Sequence, residues 1–194
     1  MVGGMGRENR SSEGGNGGDS VPFGFRDVTS AEKSSLVGDV FASVAGSYDL
    51  MNDLMSLGIH RLWKNTMIDW LAPRPGQCML DVGGGTGDIA FRYRRRGGGP
   101  VTVVDASPEM LAVGKDRAIN RGILEGIEWI VGDAQVLPIE DASVDVYASA
   151  FCLRNVAKLE LALAEARRVL KPGGRFMCLE FSRLVVPALD GMYD

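Results

Sequence analysis

The stretch Met79-Leu80-Asp81-Val82-Gly83-Gly84-Gly85-Thr86-Gly87-Asp88 constrains this chain more than any other. Its apolar run up to Val82 predicts a buried parallel strand. Gly83, Gly85 and Gly87 then let the backbone turn sharply and let a ligand approach main-chain atoms. A helix starting near Asp88 aims its N–H groups at whatever occupies the turn. Nucleotide and nucleoside sites are built this way, although a glycine cluster alone also makes ordinary tight turns. A second feature narrows the choice. The run Val101-Thr102-Val103-Val104 ends in Asp105, 20 residues after Gly85, about where doubly wound domains place the acid that binds ribose hydroxyls (~20 residues on). A carboxylate there would repel a 2′-phosphate, so loop and acid together predict an unphosphorylated ribose.

Downstream, helix and strand alternate. Ile89 to Arg96 predicts a helix whose Arg92, Arg94, Arg95 and Arg96 complement the dipole at a solvated C-terminal end. Ser107 and Pro108 suit the N-cap and first turn of the next helix, which carries Met110, Leu111 and Val113. Strands follow at Ile127 to Val131 and at Val144 to Ala150. Asp133, in Gly132-Asp133-Ala134, either accepts from an adenine amino group or starts a turn. Arg154 and Asn155 lie just past the fourth strand, and ligand crevices in parallel sheets open beyond the carboxyl ends of the strands. A helix carrying Leu159, Ala162, Leu163, Ala166, Val169 and Leu170 is closed by Lys171-Pro172-Gly173-Gly174, and a fifth strand runs from Arg175 to Phe181. The fold class is α/β, a doubly wound parallel sheet with helices on both faces.

Ahead of this core, residues 1–22 are rich in Gly, Ser and Asn and predict a disordered leader. Residues 23–75 form an N-terminal helical region. Thr29 and Glu32 have capping-box spacing ahead of Leu36, Val37, Val40, Phe41, Val44 and Tyr48. A mixed connector runs to His60, and a second helix carries Ile59, Leu62, Trp63, Thr66, Met67, Trp70 and Leu71 on one face, read as core. In 194 residues the net charge is -4, which argues against broad nucleic-acid binding. Cys78, Cys152 and Cys178 lack C-x-x-C spacing and read as reduced core residues. His60 is the only histidine, which argues against a metal site.

Tyr48 through Trp63, LDVGGGTGD at Leu80 to Asp88, Leu153-Arg154-Asn155-Val156, and Arg168 to Arg175 through Leu179-Glu180-Phe181-Ser182 resemble the ubiquinone/menaquinone biosynthesis C-methyltransferases. The resemblance runs from about Phe23 to the end. It implies a Rossmann-like class I methyltransferase fold, cut short after the fifth strand, with residues 76–194 as the core that binds S-adenosyl-L-methionine (SAM). It implies SAM as methyl donor and a polyprenylated benzoquinol, or a demethylmenaquinol, as acceptor. Asp81, Gly83, Gly85, Thr86 and Gly87 would form the donor loop, Asp105 would meet the ribose, and Asp133 and Ala134 the adenine. Ala150 stands where many relatives carry serine, so only a backbone contact survives there.

Four residues are candidates for the acceptor side: Arg154 as an anion holder, because a guanidinium is a poor base, Tyr48 and Asp49 in a substrate lid, and His60 for proton traffic. The last three have plainer roles available, Tyr48 as an interface aromatic, Asp49 as a helix-end acid and His60 as a surface cap. The acceptor's tail implies a cytoplasmic protein that visits the inner face of the membrane, with Leu50, Met51, Leu54 and Met55 as a greasy entrance. Assembly with other quinone-pathway proteins is left open. Two other readings stand beside this one. The first is a non-catalytic SAM-binding partner or inactive short form. The second is an NAD-dependent oxidoreductase, which the glycine spacing disfavours because it does not fit G-x-G-x-x-G with a helix starting at Asp88.

Overall fold

The computed structural model describes residues 20–23, 26–29 and 58–181. Strands β1 (Ser20–Phe23) and β2 (Arg26–Thr29) pair antiparallel, with Val21 opposite Val28. This hairpin corrects the expected leader, whose last residues lie in β1, and places Thr29 at a strand end. The predicted helix through Tyr48 and the connector to Leu57 lie outside the described residues, as do Tyr48, Asp49 and the apolar entrance residues.

The core is a five-stranded parallel sheet in the order β5-β4-β3-β6-β7. Its strands are β3 (Met79–Val82), β4 (Val101–Asp105), β5 (Ile127–Val131), β6 (Val144–Ala150) and β7 (Leu170–Leu179). Helices α1 (Ile59–Leu71), α2 (Asp88–Arg95), α3 (Pro108–Asn120) and α4 (Leu159–Val169) complete it. One face buries Met79, Val101, Val103, Val146 and Ala148 with residues of α1, α2 and α3. The other buries Leu80, Val82, Val104 and Tyr147 with Ala162, Ala166 and Val169 of α4. The chain leaves β3 toward β4 on one side and reaches β6 on the other, so the direction reverses at β3 and a crevice opens over its carboxyl end.

Four expectations about facing are corrected. Helix α1 buries His60, Lys64, Met67, Ile68 and Leu71, whereas Ile59, Leu62, Trp63 and Trp70 are exposed, Trp70 at 77%. The buried stripe is the predicted one rotated by about one residue, roughly 100°; burial of Lys64 is sustained because its ammonium finds Asp88 at 3.0 Å. On α4 the small Ala162 and Ala166 face the sheet while Leu159 and Leu163 are exposed. The arginine cluster on α2 is more than a solvated end. Arg92 is buried, donating to Asp88 and Asn65, and Arg94 donates to the carbonyls of Gly98 and Gly99 at 2.8 and 3.0 Å. Cys178 is exposed on β7, and Cys78 and Cys152 are half-buried.

The fifth core strand also begins earlier than Arg175. Val144 pairs with Leu170 and Val146 with Arg175, so Lys171-Pro172-Gly173-Gly174 interrupts the register within β7 instead of preceding the strand. Proline cannot donate to a ladder, and a positive φ of 79° at Gly173 suits an irregularity of this kind.

Candidate functional site

The crevice contains a cavity of about 220 Å³ bounded by α1, the β3–α2 loop and the carboxyl ends of β4, β5 and β6. The loop's shape follows from its glycines. Gly83 and Gly85 have φ values of 65° and 52°, where a Cβ is strained. A side chain at Gly83 would collide with Cys152, and one at Gly85 would lie 2.9 Å from Met110 Cε. The backbone is therefore what faces the cavity. Its amides are anchored from β4: Gly83 N–H donates to the Val104 carbonyl (2.8 Å) and Gly85 N–H to Asp105 Oδ2 (2.8 Å).

Asp105 ties the site together. Its Oδ1 accepts from Ser107 N–H at 2.9 Å, and Ser107 Oγ in turn accepts from Met110 N–H at 3.2 Å as the cap of α3. Burial pushes the Asp105 carboxyl above the usual carboxylate range, against the lowering effect of the Ser107 and Gly85 amides. Each oxygen keeps a lone pair beyond these bonds, so the group can still accept from a ligand. Thr86 lines the cavity from below, buried, its Oγ1 accepting from Arg117 Nη1 at 2.8 Å.

Asp133 and Ala134 line the β5 end of the cavity, and Ala150 the β6 end. Asp133 Oδ1 accepts from Gln135 N–H at 2.8 Å, so it does start a turn, and that turn is what presents it to the cavity.

Other predicted residues sit elsewhere. Gly87 caps α2 beneath Trp129, whose ring would lie 2.5 Å from a Cβ there, and does not line the cavity. Asp81 also lies off the cavity. It is buried inside the sheet beneath Gly84, where a Cβ would come within 2.8 Å of its Oδ2. Neither Asp81 oxygen has a hydrogen-bond partner. Burial pushes its carboxyl up to about 7; the Ala90 amide and the Lys64 cation oppose the shift without closing a bond. His60 is buried on the inner face of α1 and outside the lining, so it is not a surface cap. Arg154 does not line the cavity, although Phe151 and Cys152 before it and Asn155 after it do. Its guanidinium lies 5.0 Å from the Phe181 ring and 5.9 Å from Phe151, and 3.4 Å from Glu180.

The sequence reading did not single out Lys64, Asp88, Phe151 or Cys152, all of which line the cavity. Phe151 holds a φ of 59°, a conformation that costs a bulky residue about 1–3 kcal/mol. Its ring stacks on Phe181 at 4.8 Å, and Phe181 meets Trp63 edge-on at 5.8 Å. An aromatic surface thus runs from the cavity to the exposed side of α1. Burial pushes the Cys152 thiol up to about 12, which leaves it un-ionised at neutral pH. The Asp88 carboxylate is held below its usual range: burial alone would raise it, but Lys64 and Arg92 outweigh burial.

Residues 27–194 match the model of the ubiE/COQ5 methyltransferase family. The chain is 52% identical over 196 residues to a ubiquinone/menaquinone biosynthesis C-methyltransferase of Brucella anthropi, covering 98% of this chain and 74% of the relative. It is 53% identical to the enzyme of the same name in Brucella abortus, covering 69% of that relative. Among solved structures, geranyl diphosphate C-methyltransferase of Streptomyces coelicolor, in complex with Mg2+, geranyl diphosphate and S-adenosyl-L-homocysteine, superposes with a TM-score of 0.56 at 25% identity. The match covers 60% of this chain and 43% of that one.

Proposed function

The chain belongs to the ubiE/COQ5 methyltransferase family, and from that premise we propose that the cavity binds SAM and that the protein methylates a ring carbon of a polyprenylated benzoquinol or demethylmenaquinol. One observation carries the donor assignment. Among the described residues the cavity lining holds three carboxylates, Asp88, Asp105 and Asp133, and a single cation, Lys64. An excess of negative charge suits a cationic nucleoside and opposes the two phosphates of a dinucleotide, which favour cationic or N–H-rich cradles. The glycine backbone facing the cavity, with no room for a Cβ at Gly83, fits a ligand that lies against the main chain.

When bound, the donor supplies an electrophilic methyl group on a sulfonium. Asp105 accepts from the ribose hydroxyls while its amide bonds keep the carboxylate aimed. Asp133 and Ala134 flank the adenine, Ala150 contributes backbone only, and the Gly83–Thr86 main chain supports the middle of the molecule. Phe151 and Phe181 give the acceptor ring an apolar surface, and Arg154 above them stabilises a phenolic oxygen as its proton leaves. Holding two reactants in line lowers a barrier by as much as about 7–11 kcal/mol, so positioning is the main task of these residues.

The test is direct. Purified chain is incubated with methyl-labelled SAM and either a prenylated methoxy-benzoquinol or a demethylmenaquinol, and the quinone fraction is weighed by mass spectrometry. The proposal expects one labelled methyl on a ring carbon. Donor binding without transfer to either acceptor would instead support the non-catalytic partner.

A further inference from the structure

The donor assignment leaves one buried charge in the cavity without a task. Lys64 is 6% exposed, and its ammonium lines the cavity. An ammonium has three N–H donors, and among the described residues Asp88 Oδ2, at 3.0 Å, is the only acceptor Lys64 has. Nζ also lies 6.0 Å from the centroid of the Phe151 ring and acts electrostatically on the Asp81 carboxyl without a hydrogen bond to it. Asp88 does not need Lys64 for neutralisation, because Arg92 already reaches it through Nε at 3.0 Å and Nη2 at 3.3 Å. Nor does the α1–α2 contact depend on Lys64 alone, since Arg92 bonds Asn65 and Arg96 pairs with Asp69 at 2.9 Å. A buried ammonium with donors to spare is costly unless an acceptor arrives from the cavity.

Sheet order says which acceptor. With adenine at the end of β5 and ribose at the end of β4, the rest of the donor extends past the β3 loop toward α1. The part of SAM that remains is an amino-acid arm ending in a carboxylate. We propose that Lys64 Nζ binds this α-carboxylate, with Asp88 holding the ammonium in place between loop and helix. Lys64 is then a donor-binding residue that sets the depth of the arm and, through it, the position of the sulfonium. The assignment rests on the donor reading above.

Calorimetric titration separates the two claims. The ligands are S-adenosylhomocysteine, its decarboxylated analogue, and 5′-methylthioadenosine, which lacks the amino-acid arm. Wild-type protein should bind the decarboxylated analogue about ten- to hundredfold more weakly than S-adenosylhomocysteine, the loss expected for one charged hydrogen bond. Lys64→Met should lose the same factor for S-adenosylhomocysteine and nothing for 5′-methylthioadenosine, and Lys64→Arg should restore most of it. Equal affinity of wild type for the two homocysteine analogues overturns the proposal even if Lys64→Met fails to fold. Equal weakening of all ligands by Lys64→Met also overturns it, because the lysine would then be structural. If wild type binds none of the three, the donor reading itself falls.

Discussion

The unpartnered carboxyl of Asp81 sets up a pH dependence whose sign and size follow from its surroundings. It is 1% exposed, with neither oxygen hydrogen-bonded, and burial raises it from the usual 3.8 to about 7. Between those values the folded protein holds a proton that the unfolded chain has released. The contribution is fully present below about pH 4 and is lost as pH rises through about 7. That interval, at 1.36 kcal/mol per pH unit, corresponds to at most about 4 kcal/mol. For a chain of this length it amounts to roughly 8–16 °C in Tm. Asp81→Asn keeps the shape and removes the titration. Urea unfolding of both proteins from pH 4.5 to 8 should show wild type losing stability relative to the variant as pH rises, by several kcal/mol at the upper end. Parallel profiles would refute the reasoning, and a wild type that gains relative stability with pH would mean the carboxylate has a partner in the folded state.

Three further outcomes follow from the same geometry. Gly84→Ala places a Cβ 2.7 Å from Val103 Cγ1 and 2.8 Å from Asp81 Oδ2; it should cost about 1–3 kcal/mol by overpacking and weaken S-adenosylhomocysteine at least tenfold, read by urea unfolding and calorimetry. Asp105→Ala removes the acceptor for two loop amides and for the ribose, so it should weaken S-adenosylhomocysteine and 5′-methylthioadenosine alike. Trp70→Glu should change stability by less than about 0.5 kcal/mol, because the side chain is 77% exposed. If the apolar outer face of α1 is where the protein meets a lipid surface, the same variant lowers co-sedimentation with anionic vesicles; unchanged sedimentation removes that role.

The sheet was readable in the sequence because most strands are apolar runs, three of them closed by glycine or an acid at Gly83, Asp105 and Gly132, and four of the five core strands begin and end where the pattern places them. The donor loop and Asp105 were readable for the same reason, since their chemistry is local. Facing on α1 was not. Two stripes with helical spacing overlap there; the buried one packs Met67, Ile68 and Leu71 into the core and sets Lys64 against Asp88, a contact 24 residues apart that local spacing does not reveal. Asp81 read as part of the ligand loop from its neighbours, yet strand alternation turns its side chain into the sheet. The aromatic path from Phe151 through Phe181 to Trp63 joins residues far apart in sequence, and no local pattern announces it. Among the described residues no helix is long and apolar enough to cross a membrane.

A co-crystal structure with S-adenosylhomocysteine tests the central assignment most directly. The ribose hydroxyls should lie within hydrogen-bonding distance of the Asp105 carboxylate, with the nucleoside against the Gly83–Thr86 main chain. A nucleoside bound elsewhere, with Asp105 still facing only the amides of Gly85 and Ser107, would contradict it.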